Sequence, residues 1–271
     1  MTSALRSAEL RPMRRSRLYW TVADALVLAK RNLMQIPRIP ELLIFSTIQP
    51  VMFVLLFRYV FGGAINVRGT SYVNYLMAGI FVQTVAFGSV TTGIGLAEDL
   101  HRGLIDRFRS LPMSRSAVLT GRTLADLVRN MFVVFVMLVV GLLVGFRPQG
   151  DVLGWVSAVG LLLIFSFAMS WVAATIGLSV RSVEAAQSAG FIWLFPLTFA
   201  SSAFVPTSSM PHWLRSFADN QPVTLVINAV RGFLLGERVG TDGWIALAWC
   251  LGILVVFMPL AVSLYRRTTT R

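Results

Sequence analysis

Long apolar runs constrain this chain more than any other feature of its sequence. A helix needs roughly 20 consecutive apolar residues to cross the hydrocarbon core of a bilayer. Charged residues make up only 13% of the 271 residues, against about 25% in soluble domains. The sequence therefore predicts an all-α integral membrane protein with six transmembrane helices. The predicted spans lie at about 42–61, 75–97, 124–146, within 152–180, from after 184 to about 204, and 243–265.

The basic residues indicate which side of the membrane each loop faces. Six spans place both termini on one side, and that side then receives eighteen of the 24 Lys and Arg residues. Cytoplasmic loops carry the excess of positive charge in membrane proteins. We therefore expect both termini and the segment between the second and third spans to face the cytoplasm. Membrane topology also accounts for the net charge of +12 without nucleic acid as a partner.

The only long polar segment inside the apolar part of the chain is 98–129. Its first part has apolar residues at helical spacing, and Pro112 ends the pattern. On the opposite face Glu98, Arg102 and Asp106 stand four residues apart, close enough to pair. This helix either rests on lipid headgroups or docks on a partner protein; its mixed charges favour docking, because a purely lipid-binding helix would be basic. The predicted docking residues are Glu98, Asp99, Arg102, Asp106, Arg107 and Arg109.

The two ends of the chain lie outside the predicted membrane domain 42–265. Apolar residues at helical spacing from Leu18 to Ile36, with Arg17 and Asp24 on the other side, predict an amphipathic helix within the N-terminal segment 1–41. Such a helix is too charged to span and is expected along the membrane surface. No apolar core and cleavage site typical of a signal peptide follow the first arginines. Residues 266–271 are expected to form a short cytoplasmic tail.

A second unusual segment lies between the fifth and sixth predicted spans. Prolines divide 204–236 and leave short helices at about 209–217 and 222–235. Apolar stretches of 10–14 residues are more often re-entrant or interfacial than membrane-spanning. Two alternatives stay open: an amphipathic external loop, or a re-entrant pair that closes the outer end of a pathway.

The chain carries no recognisable catalytic site. The phosphate-binding loop of nucleotide hydrolases requires Gly-Lys-Ser/Thr, but the only lysine, Lys30, stands between Ala29 and Arg31. His101 and His212 fall on opposite sides of the predicted membrane, and Cys250 is the only cysteine, so no metal site is expected. We expect a protein that is not an enzyme, has no cofactor of its own, and depends on a partner for any ATP hydrolysis.

Aromatic residues on the second and fifth predicted spans indicate what could pass through such a protein. Charges deep in the spans are nearly absent, which argues against an ion-coupled transporter. A pathway lined by aromatic side chains suits a bulky amphiphile, although each residue could instead pack in the protein or face lipid. Polar residues in the spans, Gln83 and Thr84 among them, are expected to form helix–helix hydrogen bonds. The candidate pathway residues are Phe81, Phe87, Phe191, Trp193, Phe195 and Phe199.

Two segments resemble a known family. GLIDRFRSLPMSRSAVLTGRTLADLVRN (103–130) and SSAFVPTSSMPHWLRSFADNQPVTLVINAVRGFLLG (201–236) are similar to the ABC-2 type exporter permeases, in particular to the daunorubicin-resistance group of drug and lipid exporters. The resemblance covers nearly the whole chain. It implies that about 98–111 is a coupling helix, which docks on a separately encoded ATP-binding subunit, and that 205–235 is an outer re-entrant element.

The resemblance also implies partners and cargo. Two permeases, identical or closely related, would assemble with two ATPase subunits that hold ATP and Mg²⁺, and a hydrophobic or amphiphilic compound would pass between the permeases along spans two and five. The alternatives are export of a lipid-linked polysaccharide, a membrane scaffold or enzyme without ATP, and an uncoupled channel. The strong preference for arginine over lysine suggests a GC-rich bacterial genome, so we expect the protein in a bacterial plasma membrane.

Overall fold

The computed structural model describes residues 17–34, 40–65, 67, 69–102 and 115–268. These residues contain helices and no β-strand, which confirms the all-α prediction for the described part of the chain. Residues 1–16, 35–39, 103–114 and 269–271 lie outside the described part, and so do the predictions that concern them. The α-helices are α1 (Arg17–Leu33), α2 (Pro40–Leu55), α3 (Tyr72–His101), α4 (Arg115–Val144), α5 (Val152–Ser179), α6 (Val183–Phe199), α7 (His212–Asn220), α8 (Pro222–Leu235) and α9 (Asp242–Thr268).

Four of the described helices, α3, α4, α5 and α9, are long and apolar enough to cross a membrane. The first predicted span corresponds to α2, with Pro50 inside it, and a following π-helical turn over Leu56–Phe61. The fifth corresponds to α6, which has 17 residues. Length and composition therefore support four of the six predicted spans, because the helices at the other two positions are shorter.

Helix α3 forms the centre of the molecule. In the most apolar 18-residue window of α3, 78% of the window is buried inside the protein. The corresponding shares are 22% for α4 and 17% for α9. Helix α3 packs against α4, α5, α6 and α8. A Cβ at Gly177 would lie 2.1 Å from the Gly93 carbonyl oxygen, so only glycine permits this approach of α5 to α3. Small residues at helix contacts let backbones approach closely in membrane proteins.

Capping residues in the sequence explain where several helices begin and end. Ser71, Asp151 and Ser182 precede α3, α5 and α6, and each side chain accepts a hydrogen bond from a backbone N–H in the first turn. These bonds satisfy donors that have no partner within the helix. Gly236 ends α8 in the left-handed conformation (φ 73°), which glycine adopts without steric cost.

Helix α1 lies against α4 as a separate amphipathic element. Ala25, Leu28 and Ala29 are buried, whereas Leu26 and Val27 on the other side are more than half exposed. Large apolar side chains are also exposed along α2, α4 and α9. Exposed apolar faces of this extent mark a membrane or an interface rather than a water-facing surface.

The segment between α6 and α9 differs from its prediction at one point. The helix expected at 209–217 begins instead at His212, because Pro211 takes an extended backbone conformation and serves as the N-cap of α7. A short 3₁₀ turn, Thr207–Ser209, precedes it. Helix α8 occupies the expected 222–235 and is buried along most of its length against α3, α5 and α9.

Candidate functional site

Ion pairs cover the C-terminal end of α3. The Arg102 guanidinium donates to the Glu98 carboxylate at 2.5 Å, and both side chains are well exposed. One residue further along, the Asp99 carboxylate accepts from Arg122 of α4 at 2.5 Å, and both are about one-fifth exposed. A Cβ at Gly95 would lie 1.5 Å from Arg122 Nη2, so the glycine leaves room for this arginine. The end of α3 is thus tied electrostatically to α4.

Polar contacts between α3 and α4 continue towards the interior. Asp126 pairs with Arg129 at 3.1 Å and accepts a hydrogen bond from the Thr92 hydroxyl at 2.6 Å. Arg129 in turn donates to the Gly88 carbonyl oxygen and the Thr91 hydroxyl. The charges of Asp126 and Arg129 therefore both have partners, as the low dielectric of an interior requires.

The predicted docking residues fall into two groups. Glu98, Asp99 and Arg102 are described, and they continue or cap α3, so the helix expected to begin at Glu98 is no separate element at that end. Asp106, Arg107 and Arg109 lie outside the described residues. The ion pair between Asp99 and Arg122 of α4 explains why α3 continues beyond its apolar residues. The docking role of all six remains a prediction.

A cavity of about 520 Å³ lies beside these contacts, between α2, α3, α4 and α6. Its volume falls in the range of small-molecule sites, roughly 300–1,000 Å³. It extends along α3 from Gln83 to Glu98. Its lining is mixed: charged side chains (Glu98, Arg122, Arg129), amide and hydroxyl groups (Ser46, Gln49, Gln83, Thr84, Thr91, Asn130, Gln187) and phenylalanines (Phe53, Phe87, Phe191).

A row of eight phenylalanines, which we call the phenylalanine chain, begins at this cavity. The rings of Phe87, Phe191 and Phe195 have centroids 5.4–5.9 Å apart. Phe195 stacks on Phe199 at 5.4 Å. Ring contacts of 4.3–6.2 Å continue the chain through Phe53, Phe204, Phe57 and Phe61.

The structure brings four of the six candidate pathway residues together. Phe87, Phe191, Phe195 and Phe199 belong to the phenylalanine chain, and two of them line the cavity. Phe81 is 2% exposed and packs edge-on against Phe146 instead. Trp193 packs against the hydrophobic core. The sequence prediction missed the members on α2 and its π turn, although their four-residue spacing (Phe53, Phe57, Phe61) signals one helix face.

The expectation that polar residues of the spans form helix–helix hydrogen bonds holds for some and fails for others. Asn130 donates to Ser166 at 3.2 Å, but Thr198 bonds within its own helix. Gln83 Nε2 and Thr84 Oγ1 are buried and have no hydrogen-bond partner among the described residues, although both side chains line the cavity. A buried polar atom without a partner costs about 1–3 kcal/mol, so these two residues need an explanation.

Arg231 of α8 makes a buried contact that sequence reasoning missed. Its guanidinium donates to the carbonyl oxygens of Tyr75 (3.2 Å) and Ser202 (2.7 Å) and to the Asn228 side chain (3.0 Å). It also lies 3.6 Å from the centroid of the Tyr75 ring, a cation–π contact. We call this arrangement the Arg231 clamp; it fixes α8 to the N-terminal part of α3 and to the turn after α6.

Among the described residues no group of three or more His, Cys, Asp or Glu side chains could hold a metal ion. The buried thiol of Cys250 has no cysteine partner.

Comparison with known proteins identifies the family. The model of the ABC-2 type transporter family matches residues 24–235. The daunorubicin resistance ABC transporter permease protein DrrB1 of Streptomyces coeruleorubidus is 35% identical over 236 residues, covering 87% of this chain and 83% of that protein. The probable doxorubicin resistance ABC transporter permease protein DrrC of Mycobacterium tuberculosis is 28% identical over 284 residues, covering 100% and 99%. These matches confirm the resemblance seen in the sequence: the chain belongs to the ABC-2 type transporter family and is related to the permeases of drug-resistance ABC transporters.

Proposed function

We propose that this chain is the permease subunit of an ATP-driven exporter that moves an amphiphilic, drug-like compound out of a bacterial cell. The observation that carries the proposal is the cavity between α2, α3, α4 and α6, which joins the phenylalanine chain to the charged end of α3. An apolar wall and a polar wall in one cavity suit a molecule with both characters. The names of the relatives, which refer to daunorubicin and doxorubicin, support the same class of cargo.

The force for transport is proposed to come from a partner. Members of the family work with ABC ATP-binding subunits, which would hold ATP and Mg²⁺. We place the docking surface on Glu98, Asp99 and Arg102 at the end of α3, continued by Asp106, Arg107 and Arg109. Asp99 of α3 pairs with Arg122 of α4, and Thr92 and Thr91 of α3 hydrogen-bond to Asp126 and Arg129 of α4. Movement of this end would therefore pass to α4 through these contacts. Such a displacement of helices is a hinge or shear change.

The proposed topology has six spans, with both termini and the end of α3 in the cytoplasm. In it α2 and α6 complete the set, and α7 and α8 form the re-entrant pair on the outer side. Phe61, Phe195 and Phe199 of the phenylalanine chain are each about 40% exposed, which leaves an apolar face beside the cavity. A second permease covering that face would enclose the pathway between two copies.

Charge reversal on two matched ion pairs tests the proposal. Arg102–Glu98 and Arg215–Asp219 are both exposed pairs four residues apart on a helix, but only the first lies at the proposed docking surface. We expect Arg102→Glu to reduce daunorubicin-stimulated ATPase activity and ATP-dependent daunorubicin uptake into everted vesicles at least tenfold. Arg215→Glu on α7 is expected to change neither by more than twofold.

Cysteine labelling tests the proposed topology, and co-purification tests the proposed dependence on an ATPase. With Cys250 replaced by alanine, an impermeant maleimide should reach Arg215→Cys in intact cells and Arg102→Cys only after permeabilisation. Labelling of Arg102→Cys from outside overturns the topology. If the permease purifies without an ATPase, and vesicles accumulate daunorubicin without ATP, the exporter proposal is wrong.

A further inference from the structure

We propose that Gln83 and Thr84 bind an uncharged hydrogen-bonding group of the cargo, a hydroxyl or carbonyl, while the phenylalanine chain holds its apolar body. This inference rests on the proposed export function and adds the chemistry by which the cavity selects its cargo. It has three supports: the charge balance of the lining, the unpartnered amide and hydroxyl groups, and the position of the phenylalanines.

The charges that line the cavity are already neutralised within the protein. Arg122 pairs with Asp99, and Arg129 pairs with Asp126 and also donates to Thr91 and the Gly88 carbonyl oxygen. Glu98, at the end of the cavity, pairs with Arg102. A charged cargo group would have to compete with these ion pairs. The lining therefore favours a group that needs no counter-charge.

Gln83 and Thr84 offer the hydrogen bonds that such a group requires. They are neighbours on α3, both line the cavity, and both carry a buried polar atom without a partner among the described residues. The terminal torsion of glutamine has a broad, shallow energy profile, and the threonine hydroxyl rotates freely. Both groups can therefore turn to a ligand in the cavity. An amide and a hydroxyl together donate and accept, which matches a hydroxyl or carbonyl group rather than an ion.

The apolar part of the cargo would contact rings next to these groups. Phe87 lies one helical turn beyond Gln83 on α3 and touches Phe191 of α6. Both rings and Phe53 line the cavity. Flat apolar groups gain from offset or edge-on contact with such rings. The exposed Gln49 and Gln187 line the same cavity from α2 and α6.

The first experiment measures access to the cavity without requiring transport. In the Cys250→Ala background, Gln83→Cys and Thr84→Cys are treated with a small water-soluble methanethiosulfonate in vesicles that contain the permease and its ATPase subunit. We expect both to react and daunorubicin to slow the reaction at least fivefold. Ser170→Cys is the matched control, because the Ser170 hydroxyl is also buried and has no partner in the described part of the chain, but does not line this cavity; it should stay unreactive.

The second experiment measures selection. Gln83→Leu and Thr84→Val keep the shape of the side chains and remove their hydrogen bonds. Each is expected to raise the half-saturating daunorubicin concentration for ATP-dependent uptake about tenfold, the effect of one hydrogen bond left unmade. The maximal rate should stay within twofold. Thr84→Ser should restore the wild-type value, and Ser170→Ala should leave it unchanged.

The outcomes separate this inference from the function on which it rests. Normal uptake with an unchanged half-saturating concentration in Gln83→Leu and Thr84→Val overturns the inference and leaves the exporter intact. Unreactive cysteines at 83 and 84 overturn it as well. If the wild type transports no daunorubicin but daunorubicin protects Gln83→Cys, the site binds the compound and the proposed export fails. Absence of both transport and protection overturns both proposals.

Discussion

Arginines pack against both ends of α3, but the charge of their partners differs between the two ends. At the C-terminal end Arg122 and Arg129 face carboxylates, Asp99 and Asp126, and lie near a cavity and an exposed helix end. At the N-terminal end Arg231 contacts no carboxylate of the described residues; two carbonyl oxygens, an amide oxygen and the Tyr75 ring surround it. The first group consists of ion pairs, and the second is a hydrogen-bonded clamp with neutral acceptors.

This difference indicates which end can rearrange. The two ion pairs nearest the C-terminal end of α3, Arg102–Glu98 and Arg122–Asp99, can separate at modest cost, because water reaches their charges. Arg231 is 9% exposed, so its release would leave a buried cation and several unpaired acceptors together. We infer that the C-terminal end of α3 is the end that changes during transport. The Arg231 clamp is then a fixed joint that holds α8 against α3.

The largest expected effect follows from removing the Arg231 clamp. Arg231→Met keeps much of the side-chain volume but leaves the Tyr75 and Ser202 carbonyl oxygens without their donor. At about 1 kcal/mol for each lost hydrogen bond, we expect the free energy of unfolding to fall by about 3 kcal/mol. Unfolding of the purified permease, followed by circular dichroism in mixed micelles, measures this change.

The same substitution at an exposed arginine provides the control. Arg238→Met, three residues after the end of α8, should shift the unfolding free energy by less than about 0.5 kcal/mol. Arg231→Lys keeps the charge without the planar fork and should fall between the two. Equal effects of Arg231→Met and Arg238→Met would show that the clamp does not stabilise the fold.

A smaller effect is expected where Asp99 meets Arg122. Both side chains are about one-fifth exposed, so solvent screens the pair in part. A double-mutant cycle with Asp99→Ala and Arg122→Ala should give a coupling energy of about 1 kcal/mol in the same unfolding assay. A coupling energy equal to the loss in Arg231→Met would remove the distinction between the two ends.

Gly95→Ala tests the same pair without removing a charge. Its Cβ would lie 1.5 Å from Arg122 Nη2, so the guanidinium has to move away from Asp99. Gly160 of α5 has open space at the Cβ position. Gly160→Ala should therefore stabilise the helix by about 0.5–1 kcal/mol. At Gly95 the same gain is offset by the loss of the Asp99–Arg122 pair, so Gly95→Ala should stabilise the permease less than Gly160→Ala in the same unfolding assay. Equal stabilisation by both substitutions would show that Arg122 moves aside at no cost.

The sequence predicted those parts of the molecule that depend on local patterns. Runs of apolar residues located the long helices, and prolines located the break before α8. The rings of Phe87, Phe191, Phe195 and Phe199 meet because their helices pack side by side, as the grouping of aromatics on two spans suggested.

Contacts between residues distant in sequence could not be predicted in this way. Thr92 and Asp126 are 34 residues apart, and Arg231 is 156 residues from Tyr75. The spacing of residues within one segment carries no information about a contact with a distant segment. For the same reason the unpartnered state of Gln83 and Thr84 was missed: a polar residue in a span suggests a partner, and only the packing shows that none of the described residues provides one.

The smallest expected effect concerns Glu98 and Arg102, the most exposed pair at this end. Pairs of this kind on a helix surface contribute about 0.3–0.5 kcal/mol and weaken as salt screens the charges. A double-mutant cycle with Glu98→Ala and Arg102→Ala should give a coupling energy in that range at low salt and near zero in 1 M salt. The Arg215–Asp219 pair should behave alike. A coupling energy above about 1 kcal/mol that persists in 1 M salt would show that Glu98 and Arg102 form a fixed joint, like the Arg231 clamp. The C-terminal end of α3 would then not be the end that moves during transport.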